Sequence, residues 1–118
     1  MIDYQSITHI YMAQGVTDLR KGIDGYAALV SGVMKLDPFS SSLFLFSNRT
    51  KDKLKILVWD GNGFWLCYKR LESGKFKWLK SSNDNPVFAL SKQQLSWLLE
   101  GLSVHQNKAF KPVKNKVI

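Results

Sequence analysis

From Lys51 to Trp59 the chain alternates residue by residue. Leu54, Ile56 and Val58 fall on one parity, and Lys51, Lys53, Lys55, Leu57 and Trp59 on the other. A period of two is that of a strand with one face in a core. Asp60-Gly61-Asn62-Gly63 follows, a loop whose residues accept positive φ, and Phe64 to Leu71 reads as the return strand of a hairpin. The chain turns again through Ser73-Gly74, and Lys75 to Leu79 reads as a third strand. A meander of this kind has one apolar face, which the rest of the chain must cover.

The remaining segments supply that cover. Thr8 to Ala13 is β-branched and aromatic and reads as a first strand, and Leu43 to Phe46 as a buried one. Between them, Leu19, Ile23, Tyr26, Ala27, Val30 and Met34 recur at helical spacing, which predicts a helix over 18–35. Ser91 and Gln94 form a Ser-x-x-Gln capping box for a second helix. Its apolar face is Leu95, Leu98, Leu99 and Leu102, its staple pair is Leu90 and Leu95, and Gly101 is its stop. The order is strand, helix, strand, three-strand meander, helix. This is an α+β fold with a mainly antiparallel sheet, expected as one domain over 1–102. Residues 103–118 carry four lysines and no acid and read as a basic, flexible tail.

Charge narrows the function. The 118 residues carry a formal net charge of +8, which favours a polyanionic partner, nucleic acid before an anionic membrane surface. Residues 49–80 concentrate nine cations (Arg49, Lys51, Lys53, Lys55, Lys69, Arg70, Lys75, Lys77, Lys80) against three acids (Asp52, Asp60, Glu72). On an ideal strand Lys51, Lys53 and Lys55 stand in a row about 7 Å apart, comparable with successive phosphates. Lysines guarding an exposed strand are an equally ordinary reading. Trp59, Trp65 and Trp78 are candidates for base stacking or a protein interface, with core packing as the alternative. Arg20 and Lys21 fall at the expected start of the first helix, where an anion also sits well. Arg20 with Asp24, and Lys21 with Asp18, are the expected local ion pairs.

Catalysis has little support. Asp18, Asp24 and Asp60 show no spacing that requires a metal, and Asp18 and Asp60 suit a helix start and a turn. His9, His105 and the lone Cys67 form no ligand set, so no metal or cofactor is expected. One cysteine fits a reducing cytoplasm. No apolar run nears the ~20 residues of a membrane span, and the N-terminus lacks the basic start of a signal peptide.

The stretches GVTDLRKGIDG, LDPFSSSLFLF, KILVWDGNGFWLCYKRLESGKFKW and LSKQQLSWLLEG occur in this order over about residues 7–102. Together they resemble the TnpB-type accessory proteins of bacterial insertion sequences of the family numbered sixty-six. The resemblance implies a non-catalytic protein encoded beside a larger transposase and needed for the element to move. It puts weight on Asp18, Arg20, Lys21, Gly22, Asp24 and Gly25, on Asp37-Pro38-Phe39, on Trp59, Asp60, Gly61 and Gly63, on Lys69 through Glu72, and on Gly74, Phe76 and Trp78. Leu79 departs from it, since many relatives carry Pro there.

Two readings follow. In one, Arg20, Lys21, Arg49, Lys51, Lys53, Lys55, Lys69, Arg70, Lys75 and Lys77 grip the DNA of the element ends. Replacing Lys51, Lys53 and Lys55 with Glu should then abolish binding at an unchanged thermal midpoint. In the other, the aromatics dock the separately encoded transposase and the protein is an assembly adaptor. Oligomeric state is not legible at this level.

Overall fold

Leu43 to Phe46 is apolar without alternation because its strand lies at the centre of the sheet, buried on both faces. The computed structural model describes residues 3–15, 17–78 and 84–105. The elements run β1 (His9–Ala13), α1 (Ile23–Gly32), β2 (Ser42–Ser47), β3 (Lys53–Trp59), β4 (Phe64–Arg70), β5 (Val87–Leu90) and α2 (Lys92–Leu99). The strands form one sheet in the order β4-β3-β2-β1-β5. β1 and β2 are parallel, which requires a crossover, and α1 supplies it. Every other pairing is antiparallel, so the α+β class holds.

Each face of the sheet has its own core. On one, Ala13, Phe44, Phe46 and Leu57 pack against Tyr26, Val30 and Met34 of α1. On the other, Ile10, Met12, Leu43, Leu45, Leu54 and Val58 pack against Leu95 and Leu98 of α2, with Phe76 and Val104. Leu54 and Val58 therefore belong to the α2 side of β3, and Leu57 to the α1 side, as the alternation requires.

The second helix follows its local signals. The Ser91 hydroxyl accepts from the Gln94 N–H at 3.0 Å, and the Gln94 side chain accepts from the Ser91 N–H at 2.9 Å. Gly101 has φ +82°. The N–H of Gly101 reaches Leu98 and that of Leu102 reaches Trp97, the paired bonds of a Schellman stop. The Lys69 ammonium donates to the Leu99 carbonyl at 2.7 Å, placing a cation at the negative end of this helix.

Two expectations are corrected. The first helix is shorter than 18–35. It begins at Ile23, and Asp18 to Lys21 form a separate turn before the Gly22 cap. The consecutive antiparallel run is β2-β3-β4, and the strand expected after β4 is not found. Residues 75–78 form no strand, Phe76 is buried at 2% exposure, and its N–H goes to the Lys51 carbonyl. Lys75 to Trp78 alternates because an extended segment lays one side, Phe76 and Trp78, on the core. Period two reports such one-sided burial, with or without a paired neighbour. Leu79 and Lys80 lie outside the described residues. Conversely, Val87 to Leu90 pairs antiparallel with β1 as a strand the sequence reading passed over. Val104 is 2% exposed within the α2-side core, so packing continues past residue 102; the basic tail from residue 106 lies outside the described residues.

Candidate nucleic-acid interface

The turn at 18–21 is built by Asp18. Its carboxylate accepts from the Arg20 N–H at 2.9 Å and from the Arg20 guanidinium through two bonds of 3.0 Å. These bonds, the side-chain one foremost, hold the Asp18 carboxyl down at about 2. The expected Arg20–Asp24 pair is thus replaced by Arg20–Asp18. The Tyr26 hydroxyl, from the first helical turn, donates to the Asp18 carbonyl at 3.1 Å. Burial pushes the Tyr26 phenol up to about 12.

The neighbouring turn, Asn48 to Asp52, is equally self-contained. Asp52 accepts from the Thr50 hydroxyl at 2.7 Å and the Asn48 amide at 3.0 Å, with the Lys53 ammonium 3.2 Å away. Those donors hold its carboxyl far below the usual carboxylate range, Thr50 contributing most. Lys51 closes the turn with φ +61°. It therefore leaves the strand geometry, and the expected row of three lysines is broken. Its ammonium reaches the Ser47 hydroxyl at 3.3 Å and lies over the Trp78 ring on the α2 side of the sheet. Only Lys53 and Lys55 stand on the α1 side of β3.

Lys55 joins the two turns. Its ammonium donates to the Leu19 carbonyl at 2.6 Å and sits 5.9 Å from the ring centroids of both Tyr26 and Tyr68. The result is an open groove of about 680 Å³ lined by Leu19, Arg20, Asn48, Lys53, Lys55, Leu66 and Tyr68. No carboxylate lines it among the described residues. Arg70 stands directly across from Lys53 on this face, its charge met by Glu72 at 2.7 Å. Arg49, next in sequence to the groove residue Asn48, is exposed and has no partner among the described residues.

The other sequence candidates are placed elsewhere. Lys69 serves the end of α2, and Lys75 and Lys77 are exposed beyond β4. Lys21 is exposed and borders a smaller cavity with Asp18 and Val33. Trp78 is partly buried against the α2-side core, its indole N–H donating to the Ala13 carbonyl at 2.9 Å. Trp65 is 41% exposed on the α2 side, its indole N–H held by Asp60 at 2.6 Å. Trp59 packs with Phe39 and Phe64 at centroid distances of 5.0–5.3 Å, and Phe39 is 57% exposed. The sequence reading missed Tyr68, 55% exposed and directly opposite Lys55, and Asn48. Carrying the parity of β3 across the 60–63 loop would have found Tyr68.

The comparisons with known proteins now bear on this geometry. The family model described as IS66 Orf2 like protein matches residues 8–109, which span every strand and both α-helices. The chain belongs to the IS66 Orf2-like family. It is 38% identical over 106 residues to Uncharacterized protein y4hO of Sinorhizobium fredii, covering 89% of this chain and 90% of that one. It is 35% identical over 105 residues to Uncharacterized protein y4jC of the same organism, covering 89% and 87%. No solved structure matches. Membership associates this IS66 Orf2-like protein with transposition, as an accessory protein of an insertion sequence. No helix among the described residues is long and apolar enough to cross a membrane.

One consequence concerns acid. The Asp18 carboxyl is lowered in the fold, so its contribution is present above the unfolded value and is lost as pH falls through about 2. The Arg20 guanidinium resonances should hold their position from neutral pH down to about 4 and shift only below it. A midpoint near that of a free aspartate would show the turn to be open in solution.

Proposed function

We propose that this IS66 Orf2-like protein is a non-catalytic accessory factor that holds nucleic acid, foremost the DNA at the ends of its element, in the groove between the 18–21 turn and β3–β4. One observation carries the reading. Basic residues far apart in sequence, Arg20 with Lys53 and Lys55, converge on one groove with an exposed tyrosine on its wall. Arg20, Lys53 and Arg49 would take phosphates, and Tyr68 offers a ring for an unstacked base. Such contacts give affinity with little base readout. Two of the three carboxylates considered for catalysis have local work: Asp18 holds Arg20 and Asp60 holds Trp65.

A second reading, a cytoplasmic adaptor docking the separately encoded transposase, draws on the exposed Phe39 over Trp59 and Phe64. The deciding experiment is binding of the purified protein to labelled element-end DNA and to scrambled DNA across a salt series. The groove reading expects affinity that falls steeply with salt and differs little between the two sequences. Absence of binding at low salt, with co-purification of the transposase after nuclease treatment, would establish the adaptor instead.

A further inference from the structure

The two edges of the sheet are not alike. β5 is four residues long, and Pro86 immediately precedes it. A short edge flanked by proline is poorly suited to pairing with another chain. β4 has seven residues, no proline, and an unbroken register with β3 from Trp59 opposite Phe64 to Lys53 opposite Arg70, so no bulge twists it away. Residues 75–78, expected as a strand beside it, form none, and no strand among the described residues pairs with its outer side.

The direction of its backbone groups is fixed by two bonds that bracket the hairpin. The Asp60 N–H reaches the Gly63 carbonyl at 3.0 Å, and the Leu71 N–H reaches the Asp52 carbonyl at 2.8 Å. Alternation between them turns Trp65, Cys67 and Lys69 toward β3. The N–H and C=O groups of Phe64, Leu66, Tyr68 and Arg70 therefore point away from the sheet, a ladder left open among the described residues.

We propose that β4 is a dimerisation edge: two copies pair their β4 strands antiparallel and join two five-stranded sheets into one. Full overlap of two seven-residue strands centres the pairing on Cys67. Phe64 then meets the second copy's Arg70 and Leu66 meets its Tyr68, both through outward-pointing backbone. Trp65 meets the second copy's Lys69 on the α2 side. Each cation faces an aromatic ring, a favourable pairing. Asp60, bonded to the Trp65 indole, adds a carboxylate on the side where that lysine arrives. Parallel pairing would set the Lys69-Arg70 ends of the two strands side by side and is opposed by their charge. Trp65 at 41% and Tyr68 at 55% exposure would both be covered.

This inference shares Leu66 and Tyr68 with the proposed nucleic-acid groove, so pairing and a base stacked on Tyr68 compete, and the two respond to salt in opposite directions. Each chain carries +8, so self-association is weakest at low ionic strength and tightens as salt screens the repulsion. The test is sedimentation velocity of the full chain, without DNA, at low and high salt. A reversible monomer–dimer equilibrium that tightens with salt is expected. Tyr68→Pro removes an N–H that β3 does not use, and should weaken the dimer at least about tenfold while the circular dichroism of the monomer persists. Trp65→Lys sets like charges opposite each other and should weaken it comparably without any backbone change. Copper–phenanthroline oxidation should give a disulfide through Cys67, since opposed residues without mutual hydrogen bonds lie about 4.5 Å apart at Cα. A chain that stays monomeric up to about 0.2 mM at high salt overturns the proposal and leaves the edge to an extended segment of another protein. A dimer equally tight in both variants, or one that never cross-links at Cys67, overturns it as well.

Discussion

Lys55→Glu lowers the thermal midpoint by about 15–20 °C, on the basis of a loss near 3–4 kcal/mol in a domain of this size. The components are all local to one ammonium. The part-buried, charge-assisted bond to the Leu19 carbonyl is worth about 1.5–3 kcal/mol. Contact with the rings of Tyr26 and Tyr68 adds about 0.5–1 kcal/mol each. A carboxylate in the same place also opposes the Leu19 carbonyl oxygen, so the 18–21 turn loses its tie to β3. Lys55→Met, which keeps the stem and removes the charge, should fall by about half as much. Circular dichroism melts of the three proteins measure the series. A midpoint for Lys55→Glu within about 3 °C of the parent would mean that Lys55 is a solvated surface lysine. The same geometry separates the three lysines that the alternation had grouped. Lys51 closes a turn, Lys55 holds a loop, and only Lys53 is disposed to meet a ligand without structural penalty. Reversing all three at an unchanged midpoint is therefore no longer expected.

What the sequence disclosed, and what it withheld, divides by the range of the interaction. The caps of α2 were legible because Ser91, Gln94 and Gly101 act within one turn of the helix they bound. The β3–β4 hairpin was legible because Asp60 to Gly63 join strands only a few residues apart. β5 was not, since its four residues become a strand only against β1, more than seventy residues upstream. The start of α1 was misplaced because Leu19 continues the helical spacing. The Asp18 carboxylate nevertheless offers the Arg20 N–H a side-chain partner outside the helix. The groove belongs to the same class. Its basic residues were visible one by one, but their meeting depends on a crossover helix that brings residue 20 over residues 53–68. Lys51 shows the limit of parity arguments, because the Asn48–Asp52 network forces a positive φ and turns the side chain to the opposite face.

The triple variant Arg20→Gln, Arg49→Gln, Lys53→Gln should bind element-end DNA about a hundredfold more weakly near 0.15 M salt. Each phosphate contact contributes roughly 0.9 to the salt slope, so losing one costs about fivefold at that concentration. Losing all three flattens the slope of log affinity against log salt by about 3, and the two readouts must agree. The fold should be little disturbed. Arg49 has no partner among the described residues, and the Arg20–Asp18 and Lys53–Asp52 pairs are exposed enough to be worth little, so the midpoint should move by no more than about 3 °C. A control neutralises Lys75 and Lys77, exposed cations that neither line the groove nor adjoin a lining residue in sequence. If charge alone drove binding, control and groove variants would lose affinity in proportion to charges removed. If the groove is the site, the control keeps most of the parent's affinity and slope. An unchanged slope in the triple variant would remove the phosphates from the groove and leave Tyr68 and Arg20 to another role.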